Sequence, residues 1–244
     1  MNDILTVMWK ERKGLFRYKG SRTRFLPVLL TPVLLAVVMP WQWGAEWVEE
    51  IPTVILSALI PMILVGVTIP DSFAGERERH TLETLLASRL SDRAIFFGKV
   101  AVSVALGWGV TLVVLLLSLI TVNIAHWDGK LLLYPPVIAW GNLALSLLMA
   151  VLVAGMGILV SLRAETVQQA AQTLMALFVV PIILMQLAAF VIPMALPSDQ
   201  IRRLIESIDG TQLMLIVLAV LALLAASIFA LAMARFQRSR LALD

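Results

Sequence analysis

"DSFAGERERHTLETLLASRL", residues 71–90, carries seven of the chain's 35 charged residues between two long apolar runs. The chain has 244 residues, 60% hydrophobic and only 14% charged, where a soluble domain would carry about a quarter. Crossing a bilayer takes about 20 apolar residues, at about 1.5 Å of rise each. Six stretches meet that length, near 25–43, 51–73, 94–122, 135–162, 173–196 and 212–234. The charged segment at 71–90 is therefore a break between the second and third spans, and its leucines are still spaced as if for burial.

Basic residues orient the spans. Seven Lys or Arg precede the first span, four lie in 76–93, one in 163–172, three follow residue 234, and Lys99 sits just inside the third span. The opposite loops hold only Lys130, Arg202 and Arg203. Sixteen against three places both termini in the cytoplasm. Trp41, Trp43, Trp47 and Trp127 then fall at the outer interface. No internal repeat or linker divides the chain, so residues 1–244 form one transmembrane domain. The fold class is an all-α membrane protein of six transmembrane helices. Its opening, "MNDILTVMWKERKG", lacks the order of a signal peptide, and no cleaved leader is expected.

The sequence also excludes several chemistries. It has no cysteine, and His80 and His126 belong to opposite membrane faces, so a metal site of the usual ligands is not expected. The spans carry almost no ionisable side chains away from their ends, which argues against an ion-coupled carrier. Asn142, Gln186 and Gln212 are the main polar groups inside, and Asn142 reads as helix-packing glue. Gly107, Gly109, Gly155 and Gly157 read as close-packing positions. "FFGKV" at 96–100 has the Gly-Lys of a nucleotide loop without the upstream Gly, the following Ser/Thr or a soluble strand. No nucleotide site, catalytic residue or cofactor is therefore assigned to this chain. A net charge of +3, distributed by membrane side, is no nucleic-acid signature.

In "ERERHTLETLLASRLSDR", Leu82, Leu85, Leu86 and Leu90 fall at i, i+3, i+4 and i+8, one apolar stripe on a short helix. Such a helix lies either on lipid or in a groove of a cytoplasmic partner. Glu76, Glu78 and Glu83 beside Arg77 and Arg79 favour the partner, because a lipid-seeking helix is biased toward basic residues. Upstream, residues 1–24 set Ile4, Leu5, Met8, Leu15 and Phe16 against Lys10, Arg12, Lys13, Arg17 and Lys19, an interfacial amphipathic helix for the acidic inner leaflet. Ile201, Leu204, Ile205 and Ile208 share a face within 197–211, a short outer helix between the last two spans.

The loop resembles the segment after the second span of ABC-2 type permeases, the membrane subunits of ATP-binding-cassette exporters. Their pattern runs Glu-Arg-Glu, then Gly-Thr-Leu-Glu, a Leu-rich turn with Pro before Ser, and Gly-Lys at the third span. Glu76, Arg77, Glu78, Thr81, Leu82, Glu83, Leu85, Leu86, Ser91, Gly98 and Lys99 match; His80 stands in place of Gly and Arg89 in place of Pro. The resemblance implies that 76–93 is a cytoplasmic coupling loop. Its helix would seat in a soluble ATPase subunit, with Leu82, Leu85 and Leu86 as the apolar anchor and the charges of 76–83, Arg79 included, on the rim. It further implies two ATPase copies holding ATP and Mg²⁺, a second permease copy forming a homodimer or heterodimer, and residence in the plasma membrane. The largely apolar interior suits a lipophilic or amphipathic cargo moved outward. A motor-independent channel or transporter, or a membrane assembly scaffold, are the rival classes. Depth along the second and third spans also predicts an ion pair between Asp71 and Lys99.

Cysteines introduced at Ser198 and Asp128 should react with an impermeant thiol reagent added outside sealed cells, and one at Ser239 should not. Labelling at position 239 would overturn the orientation.

Overall fold

The computed structural model describes residues 2–17, 21–49, 52–81, 89–195 and 210–236. All regular structure among them is helical: α1 (Asn2–Arg17), α2 (Ser21–Trp43), α3 (Ala45–Glu49), α4 (Pro52–Glu78), α5 (Asp92–Ala125), α6 (Pro136–Ser161), α7 (Val167–Ala195) and α8 (Gly210–Arg235). Five of these, α4 to α8, contain stretches long and apolar enough to cross a membrane. The first expected span lies within α2, whose described apolar part, Leu30–Trp43, is shorter than that length. The expected outer helix at 197–211 and residues 82–88 of the loop lie outside the described residues, apart from Gly210 and Thr211, which open α8.

Helix boundaries follow local chemistry. Ser91, in extended conformation, caps α5 by accepting the Ala94 N–H at 3.2 Å. Pro136 opens α6, where a missing N–H is harmless. Gly44 adopts φ +58° between α2 and α3, a left-handed turn open to a residue without Cβ. Pro61 and Pro70 sit inside α4.

The helices pack around α4, which lies against α5, α6 and α7, while α8 covers the far side of α6. Two clusters make the interior. One joins Val65, Ile69 and Phe73 to Phe96, Ile158 and Leu174 near the charged end. There Phe96 meets Phe229 and Phe236 with ring centroids 5.3 and 5.7 Å apart, which seats the end of α8. The other joins Ala36, Trp47 and Val48 to Leu56, Ile60 and Val114 near the tryptophan-rich end. Trp47 is thus buried, contrary to its expected place in the interfacial belt, whereas Trp41, Trp43 and Trp127 are exposed. Val7 of α1 packs on Gly98 of α5, so α1 and the end of α8 share the charged end.

Asn142 is buried and bonds Ser57 at 3.3 Å and Thr53 at 3.4 Å, tying α6 to α4 as an interhelical link. Gly107, Gly155 and Gly157 are close-contact positions: an added Cβ would lie 2.7, 3.0 and 2.8 Å from Val65, Ile228 and Ile69 respectively. Gly109 differs, with nothing within 4 Å. Gly157→Val should therefore lower thermal stability in detergent by about 1–3 kcal/mol through overpacking. Gly109→Ala should leave it unchanged or raise it by up to about 1 kcal/mol through helix propensity.

Candidate functional site

The Glu76-Arg77-Glu78 triplet belongs to the last turn of α4, which runs to Glu78, past the expected loop boundary at 76. Each of its members goes to a different helix. Glu76 points inward with its side chain 8% exposed; its Oε1 accepts from Lys10 of α1 at 2.6 Å and forms an ion pair with Lys99 of α5 at 3.0 Å. Arg77 donates to the carbonyls of Leu162 at 2.9 Å and Ala164 at 3.2 Å, at the C-terminus of α6. Glu78 accepts the Val167 N–H at 3.0 Å, at the start of α7. A cation at a helix C-terminus and an anion at a helix N-terminus each complement the backbone dipole. The end of α4 therefore clamps the α6–α7 turn from both sides. Glu76 is buried, Arg77 half-buried and Glu78 exposed, and each is bonded within the bundle.

Lys99 is the most enclosed charge among the described residues, 1% exposed. Its ammonium donates to Ser72 O at 2.7 Å and to Glu11 at 3.0 Å, and pairs with Glu76 at 3.0 Å. Two of its three donors are thus used in hydrogen bonds, and Glu76 compensates its charge. The Phe73 ring lies 5.5 Å away. Glu11, 12% exposed, also accepts from Ser72 Oγ at 3.1 Å through its other oxygen. Lys10 is half exposed. Burial pulls its ammonium down, but the hydrogen bond and charge of Glu76, then of Glu11, outweigh this and raise its pKa above the ordinary 10.5. Glu76 Oε2 is buried without a hydrogen-bond partner among the described residues, so the carboxylate is compensated entirely through Oε1.

The expected Asp71–Lys99 pair is replaced. Asp71 pairs with Arg79 at 2.7 Å, both side chains nearly half exposed, and Lys99 pairs with Glu11 and Glu76. Similar depth did not decide the partner; Asp71 sits on the outer flank of α4. Glu11 and Ser72 had not been singled out, and Lys10 only as part of the basic face of an interfacial helix. The available signal was Glu11 itself, a lone carboxylate among Lys10, Arg12 and Lys13 on a helix assigned to an acidic surface.

Thr81 ends the described part of the loop, its N–H bonded to Glu76 O at 2.9 Å and that of His80 to Arg77 O at 2.9 Å. These two bonds form a Schellman closure, with His80 left-handed at φ +54°. Leu82, Glu83, Leu85 and Leu86 lie outside the described residues. Gly98 and Lys99 serve packing and charge pairing: a Cβ at 98 would lie 2.6 Å from Val7, so α1 covers this backbone.

Residues 2–195 match the family model for the ABC-2 type transporter. The chain belongs to that family. No curated protein matches it closely enough to add a nearer likeness. Membership makes it a multi-pass membrane permease component of an ABC transporter. A Gly in place of His80 would suit the left-handed closure after α4.

His80→Gly should raise thermal stability by about 0.5–1 kcal/mol. Relief of a left-handed L-residue, about 1–2 kcal/mol, exceeds the added unfolded-state entropy of glycine, about 0.5–1 kcal/mol. A melting curve in detergent checks the sign.

Proposed function

We propose that this permease is the membrane half of an ATP-driven exporter. In this reading it has six spans, with α2 as the first, both termini in the cytoplasm and its charged end facing a soluble ATPase. Two permease copies, most simply identical, work with two ATPase copies that bind ATP and Mg²⁺; this chain performs no catalysis of its own. The plasma membrane is the expected location.

The observation that carries the reading is the attachment of both loop ends within one rigid cluster, in a chain of this family. Lys99, eleven residues after 88, binds the Ser72 carbonyl and Glu76, which precede 82. Arg77 and Glu78 extend the connection to α6 and α7. A displacement of 82–88 by a closing ATPase pair is then delivered to four spans together. Rigid-body bias between two packed arrangements of the spans gives alternating exposure. Leu82, Leu85 and Leu86 supply the apolar anchor, with Glu83, Arg79 and Thr81 at its edge. Arg79 and Thr81 are exposed, as such an edge requires.

A lipophilic or amphipathic cargo is supported by an open apolar groove on the bundle. A crevice of about 230 Å³ opens between α4, α6 and α7, lined by Leu59, Met62, Met149, Leu177, Phe178 and Pro181 among others. Met side chains adapt to varied apolar shapes. Leu5 and Trp9 of α1 are more than half exposed, which supports contact of this helix with the bilayer interface.

Replacing Leu82 and Leu86 with Asp should abolish transport-coupled ATP hydrolysis in reconstituted vesicles while leaving membrane insertion intact. Normal coupling in the double variant would refute the docking assignment.

A further inference from the structure

Four charges at the head of the bundle form a closed ring of alternating sign. Lys10 meets Glu76 at 2.6 Å, Glu76 meets Lys99 at 3.0 Å, Lys99 meets Glu11 at 3.0 Å, and Glu11 returns to Lys10 at 3.7 Å. Two corners are consecutive residues of α1, one is on α4 and one on α5. We infer that this ring is a latch that fastens α1 to both ends of the 82–88 loop, and that Glu11 and Lys99 are positioning residues for coupling. The latch stands on its own geometry; its role in coupling rests on the loop being the ATPase docking element.

Three features carry the inference. The ring is neutral overall, which makes its burial tolerable where an isolated charge would not be. Departure of α1 would take away Glu11, one of the two hydrogen-bond acceptors of Lys99 among the described residues, from an ammonium that is 1% exposed. Finally, α1 is held in register. Glu11 uses both oxygens, one on Lys99 and one on Ser72, and Val7 fills the space that a Cβ at Gly98 would need. Nothing comparable is needed for a helix that merely floats on lipid. α1 leads directly toward α2, so a latched α1 makes the entry to that helix move with the loop.

The ring differs from a simple salt bridge in what restores it. Exchanging the signs of Glu11 and Lys99 alone would rebuild that edge, yet it would set two carboxylates together at the Glu76 edge and two ammonium groups together at the Lys10 edge. Reversal of all four corners would restore alternation but would set a carboxylate against the Ser72 carbonyl, which here accepts from Lys99. Removing one partner of a buried cluster costs about 3–5 kcal/mol, a factor of about 100 or more in an opening equilibrium.

The test is hydrogen–deuterium exchange of amides 4–11 with the full chain in phosphatidylcholine/phosphatidylglycerol nanodiscs. Glu11→Gln should speed exchange in α1 about 100-fold while α4 and α5 stay protected. Glu11→Lys with Lys99→Glu should remain fast-exchanging, because Glu76 and the Ser72 carbonyl would then both face a carboxylate at position 99. Unchanged α1 exchange in Glu11→Gln, or full recovery by the two-site reversal, would overturn the latch. In the complex reconstituted with its ATPase, Glu11→Gln should keep assembly and basal hydrolysis but reduce transport per ATP at least tenfold. Undiminished transport there would remove the coupling role. If the Leu82/Leu86 double variant still couples, the docking reading fails instead, and the exchange results continue to judge the latch alone.

Discussion

A fully buried ammonium sets the terms for the charged end of this bundle. Lys99 lies about two turns inside α5 and is almost fully enclosed, so its charge needs compensation. Its side chain could in principle reach toward headgroups, as lysines near span ends commonly do. It turns inward instead, to the Ser72 carbonyl and two carboxylates. That choice requires Glu76 to face the interior of α4's last turn and requires a carboxylate on α1. The positions of three helices at this end follow from satisfying one group.

The rest of the α4 terminus extends the same logic to the neighbouring turn. Arg77 sits at the exhausted carbonyls of α6 and Glu78 at the first amides of α7, so each charge meets a helix end of opposite polarity. Consecutive residues on a helix point about 100° apart, which is why three adjacent charges can serve three directions. Under the proposed coupling to a soluble ATPase, this arrangement is mechanically useful. Apolar helix faces can slide past one another at little cost, whereas hydrogen-bonded charges hold one register.

Much of the fold was legible in the amino-acid sequence because hydropathy and helix boundaries are local properties. The runs assigned as the second to sixth spans correspond to α4–α8, Ser91 begins α5, and Asn142 and three of the four paired glycines pack helices as expected. Legibility failed where rotation about a helix axis mattered. Trp47 reads as a belt residue by depth but faces Val48 and Ile60 in the interior. Gly109 lies two residues from Gly107, hence on another side of α5, and touches nothing. His80 looked like a simple departure from Gly, and its left-handed φ shows which backbone demand that Gly answers.

The sequence by itself determined that this is a multi-pass α-helical membrane protein of ABC-2 type, with a charged break after the second apolar run. It did so because apolar length, charge placement and a contiguous motif need no knowledge of which helices touch. Only the tertiary structure decided how the charges are shared. Asp71, Glu76, Glu11 and Lys99 all belong to the same end, and depth alone makes either carboxylate of α4 a fair partner for the lysine. The roll of α4 turns Glu76 inward and leaves Asp71 to Arg79, and the crossing of α1 at Gly98 brings in Glu11 from 88 residues away. Which ion pairs form depends on azimuth and crossing point, and both are set by packing against neighbours distant in the chain.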